Sequence, residues 1–290
     1  MKKSLLYLTA TTLLMACGGD VDVEEGQENN LTHGELTVKR ADKAQKVFQT
    51  VPSPYETATI FEEAGAAYNT EFTNPIENVD KYSTAAKQAL NLGVYGADLS
   101  YANIYDQTQE SMFYMNCSKK MADALEISAA FSPETVERIE ENMNNRDSMM
   151  NIVNDSYWIC DAYLKENGQD NLSALIIAGG WIEGLYLGTK SINRETPNEG
   201  LMQRIADQKY SLNNLIDLMG SYDDEEVQHI KTELEKLKKV FDKIEEQEGE
   251  ASVEEGDVPT IGGGSTLKYD QATVFEIADL TETIRNEIIK

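Results

Sequence analysis

From about residue 40 to residue 245, and again from 267 to 289, apolar residues recur every three or four positions. This is the period of a helix with one buried face. Ala58, Phe61, Ala64 and Tyr68 share a face, as do Leu201, Ile205, Leu212, Leu215 and Met219, after which Gly220 reads as a stop. Val227, Ile230, Leu234, Leu237, Phe241 and Ile244 follow a 3-4-3-4-3 spacing. That seam is too short for a free coiled coil and fits antiparallel packing in a bundle. The periodicity predicts helices near 40–50, 54–70, 83–105, 107–127, 133–143, 147–166, 171–191, 197–219, 224–245 and 267–289. No alternating strand pattern appears.

Four of the six prolines sit at predicted helix starts: Ser53-Pro54, Asn74-Pro75, Ser132-Pro133 and Thr196-Pro197. In Ser53-Pro54-Tyr55-Glu56 the serine caps a free N–H and the glutamate reaches back. Proline at the first position loses nothing, because its N–H would be unpaired there anyway. Asn74-Pro75-Ile76-Glu77 and Thr196-Pro197-Asn198-Glu199 repeat the arrangement. The expected fold is all-α: a multi-helix bundle of about ten helices. Gly96-Ala97-Asp98-Leu99-Ser100-Tyr101 and Trp181-Ile182-Glu183-Gly184-Leu185-Tyr186 each place an acid three residues before a tyrosine. That echo admits two related half-bundles.

Two stretches depart from simple amphipathicity. Residues 90–101 and 175–186 are apolar on nearly every side and contain glycines, as helices at the centre of a bundle do. Asp98 and Glu183 fall inside them, and a buried carboxylate must be paired, hydrogen-bonded or protonated. One reading is a structural network that fixes helix register. The other is an axial pocket for a small or cationic ligand at Asp98 and Glu183, walled by Tyr95, Tyr101, Trp181 and Tyr186. Cys117 and Cys160 lie on apolar stripes, which favours two buried thiols over a disulfide.

Composition changes the picture at the ends. The 290-residue chain is 41% hydrophobic and 8% aromatic, as globular chains are, yet its net charge is −26. Residues 18–30 carry five acids and no base, and residues 245–257 seven acids and no base. The first block reads as part of a flexible tether over 17–39, leading to a bundle domain over 40–246. The second opens an acidic, Gly-rich linker over 247–265, followed by a C-terminal helix over 266–290. An acidic chain repels nucleic acid, so no nucleic-acid partner is expected. No catalytic motif, cofactor loop or metal-ligand spacing is present, and the only histidines are His33 and His229. The expectation is a non-enzyme without cofactor or metal; a carboxylate pair acting on a glycan is the residual enzymatic reading.

Residues 1–16 have the form of a signal peptide: Lys2 and Lys3, an apolar run from Leu5 to Met15, then Leu14-Met15-Ala16-Cys17. The last four residues resemble the lipobox of bacterial lipoproteins. The resemblance implies cleavage before Cys17 and lipidation of Cys17, which would anchor the chain to a membrane. Gly18 in place of an aspartate leans toward the outer membrane. Asp20, Asp22, Glu24 and Glu25 resemble the acidic export signal of surface lipoproteins in the Bacteroidota. Ser53-Pro54-Tyr55-Glu56 and the stretches 92–101 and 179–186 resemble a family of uncharacterised helical lipoproteins from the same phylum, over most of residues 45–220. That likeness implies an envelope setting and supplies no site residues. The functional expectation is therefore a membrane-anchored helical scaffold for an envelope protein partner, with the axial ligand pocket as the alternative.

Overall fold

The computed structural model describes residues 50–247 and 266–290, together with the backbone of 252–254 and 260–262; the side chains of residues 129 and 130 are not described. The signal peptide, Cys17, the tether, His33, most of the helix expected near 40–50 and most of the 247–265 linker lie outside the described residues.

Among the described residues the chain forms nine α-helices: α1 (Pro54–Glu63), α2 (Ala85–Ile104), α3 (Thr108–Ala124), α4 (Pro133–Asn142), α5 (Arg146–Glu166), α6 (Asp170–Lys190), α7 (Glu199–Met219), α8 (Glu225–Phe241) and α9 (Gln271–Ile288). Three short 3-10 turns, at Thr70–Phe72, Ile76–Lys81 and Ser128–Phe131, join them. The fold is an all-α multi-helix bundle, as the periodicity predicts.

The caps behave largely as their chemistry dictates. Ser53 and Glu56 form the reciprocal capping box of α1, and Ser132 caps α4 through the Thr135 N–H. The start of α7 falls two residues later than the proline pattern suggests, because Asn198 caps the Leu201 N–H. Helix α1 stops at Glu63 rather than running on to 70. Gly65 follows with φ of +91°, a left-handed conformation that few side chains tolerate, so the helix turns off there. Asn74 caps no helix: the segment after Pro75 is only a 3-10 turn, and Asn74 is buried in the interior.

Helices α2 and α6 form the centre. Every residue of α2 from Ala89 to Ile104, and of α6 from Leu172 to Thr189, is buried. Their glycines explain how two such helices meet. A Cβ on Gly93 would lie 2.1 Å from the Ile176 carbonyl oxygen, and one on Gly179 would lie 2.0 Å from that of Leu90. The backbones therefore touch where a methyl group would hold them apart. By length and composition α6 would also pass as a membrane span, but its whole apolar window is covered by neighbouring helices. Around this pair, α1 and α3 pack on α2, while α1, α5, α7 and α9 pack on α6; α8 closes against α7 and α9.

One hydrophobic core contains residues from all nine helices, including Val274, Ile277, Ile284 and Ile288 of α9. The linker drawn between the bundle and the last helix therefore separates them in sequence, not in packing. Nor does the core divide into two halves; the two echoing segments are the two partners of the central pair. At the flanks of the linker, β1 (Glu245–Gln247) pairs antiparallel with β4 (Thr266–Lys268), Glu246 opposite Leu267. Inside them β2 (Ser252–Glu254) pairs antiparallel with β3 (Thr260–Gly262). The apolar pattern predicts no strand here. Three-residue strands rich in Glu and Gly carry too little alternation to be read.

Candidate functional site: a buried carboxyl pair closed by Arg285

Asp98 on α2 and Glu183 on α6 converge, and neither has any exposed surface. Against them stands Arg285 of α9, itself buried. Its Nε and Nη2 each donate to one Glu183 carboxylate oxygen at 2.9 Å, a two-pronged ion pair that fixes both groups in one plane. Nη2 also reaches the Phe72 carbonyl at 3.1 Å. The guanidinium carbon lies 4.5 Å from the centre of the Tyr186 ring, within cation–π range.

Asp98 is held differently. Its Oδ2 accepts the backbone N–H of Asn74 at 3.1 Å, and its Oδ1 meets no hydrogen-bond donor among the described groups. Two carboxylates and one guanidinium would leave a net negative charge in the buried interior. A proton on Asp98 resolves both difficulties: it removes the excess charge and turns the acid into a donor toward Glu183. Burial, and next the adjacent Glu183 charge, push the Asp98 pKa well above the ordinary carboxylate value; Arg285 and the Asn74 N–H oppose this without reversing it. For Arg285 burial works against the cation, but Glu183 and then Asp98 outweigh it, so its pKa is raised and it stays charged.

A ring of neutral polar groups continues the cluster to the end of α9. Asn74 Nδ2 donates to the Tyr82 hydroxyl at 3.0 Å and to Asn91 Oδ1 at 3.3 Å. Asn91 Nδ2 donates to the Ile288 carbonyl at 3.1 Å, and the Tyr82 hydroxyl to that of Ile289 at 3.2 Å. The last carbonyls of a helix have no partner within it, so these two side chains cap α9 from inside the bundle.

The expected wall residues separate into three groups. Tyr186 lies against the ion pair. Tyr95 and Tyr101 flank the cluster: Tyr95 donates to the Pro75 carbonyl, while Tyr101 donates to the Ala67 carbonyl and packs at a tilt on Tyr68 with ring centres 4.9 Å apart. Burial raises the pKa of both phenols. Trp181 does not belong to the cluster; its indole N–H donates to Ser211 Oγ on α7 at 2.9 Å. Two positions along a helix are about 200° apart, so Trp181 and Glu183 face opposite ways.

Periodicity could have found Arg285. Val274, Ala278, Thr281, Arg285 and Ile288 continue one stripe of α9, and all are buried; an arginine on such a stripe announces an interior partner. Asn91 also shares a face with Tyr95 and Asp98. Asn74 carried no such signal, since its proline context pointed to a helix cap.

Cys117 and Cys160 are buried and free. Burial pushes their thiols up, to about 11 for Cys117 and about 12 for Cys160. Among the described residues no group of three His, Cys, Asp or Glu side chains is placed to hold a metal ion.

Arg285 of the chain itself thus stands against Glu183, where the alternative reading placed a small or cationic ligand. No family model, curated protein or solved structure matches this chain.

Proposed function

We propose that the protein is a lipid-anchored, non-enzymatic scaffold of the bacterial cell envelope, held at the outer membrane through Cys17, whose helical domain binds an envelope protein partner through its outer surface. The observation that supports this most is the filled centre. The acids that could have formed an axial ligand site are engaged by Arg285, Asn74 and one another, so their role is to fix α2, α6 and α9 in register. The signal-peptide pattern ending in Leu14-Met15-Ala16-Cys17 supports the anchor, and the acidic, Gly-rich stretch after it supports a tether.

The test is native purification of the tagged chain from its own detergent-solubilised envelope, followed by mass spectrometry. A diacylglyceryl-modified Cys17 at the mature amino terminus and a stoichiometric protein partner are expected. An unmodified chain in the soluble fraction, or one purified without a partner, refutes the reading.

A further inference from the structure

We draw no further inference here: the strongest candidate, the apolar cavity of about 30 Å³ that Leu92, Leu99, Ile139, Val153 and Ile176 line between α2, α4, α5 and α6, carries nothing, because its one polar atom without a partner, Ser118 Oγ, is fully covered and nothing in the structure shows what the cavity would hold.

Discussion

Changing Gly179 to alanine adds one carbon where the backbones of α2 and α6 touch. That Cβ would sit 2.0 Å from the Leu90 carbonyl oxygen, where ordinary contact begins at 3.4 Å. Helices α2 and α6 must therefore separate by about 1.4 Å, because the obstructing atoms all belong to the Leu90 backbone, which no rotamer change can move. Overpacking a core costs about 1–3 kcal/mol where side chains can adjust, and more where they cannot. Alanine recovers about 1 kcal/mol of helix propensity. The expected net loss is about 2–4 kcal/mol, or a fall in Tm of roughly 5–15 °C for a domain of this size. Gly180 is the built-in control. Its added Cβ would meet the Tyr157 hydroxyl at 3.1 Å, Pro54 Cγ at 3.2 Å and the Gly93 carbonyl oxygen at 3.4 Å. Shifts of a few tenths of an ångström accommodate these, and the propensity gain is the same, so Gly180→Ala should stay within about 1 kcal/mol of the parent. Urea and thermal unfolding followed by far-ultraviolet circular dichroism measure both. Equal losses at the two positions, or a Gly179→Ala variant as stable as the parent, would refute the backbone-contact argument.

Other consequences follow from the charge and burial of named groups. The folded state raises the pKa of Asp98, so it holds a proton that the unfolded chain releases; above the ordinary carboxylate value this group's contribution to stability falls as pH rises toward its folded pKa. Asp98→Asn mimics the protonated form, so it should fold at neutral pH and show a flatter decline of Tm with rising pH; a decline steeper than the parent's would argue that Asp98 is ionised. Cys117 and Cys160, buried and with thiols pushed up to about 11 and about 12, should resist a water-soluble maleimide at pH 7 in the native state and react on unfolding. Mass spectrometry of the labelled protein reads the difference, and rapid native labelling at either cysteine would contradict their placement.

Most of the described helices were legible in the sequence because they rest on local patterns. The α8 seam from Val227 to Phe241 and the Ser53–Glu56 capping box are examples, and so is the all-round apolar character of α6. The convergence of Asp98 and Glu183 was legible in kind, since each acid lies within a helix that must be central. The closing partner was harder to see, because Arg285 is 102 residues from Glu183 in the chain. Its place on the buried stripe of α9 was the available sign. Asn74 was misleading for a physical reason: the residue type that caps helices is also a compact amide that can bridge a buried carboxyl, a tyrosine and another asparagine. Trp181 shows the limit of assigning neighbours along a helix to one site. A residue two positions from Glu183 faces a different helix and a different cavity.

The claim that the centre of the bundle is a structural lock, with Arg285 as its closing group, is tested most directly by a double-mutant cycle on Glu183 and Arg285. The four proteins are the parent, Glu183→Gln, Arg285→Met and the pair, each unfolded in urea at neutral pH. Removing one partner leaves the other buried with its charge uncompensated, so each single change should cost about 3–5 kcal/mol. The double change removes both charges and should cost clearly less than the sum, by more than about 1.5 kcal/mol. Losses that add, or single variants as stable as the parent, would contradict the lock and return Asp98 and Glu183 to the status of a site awaiting a ligand.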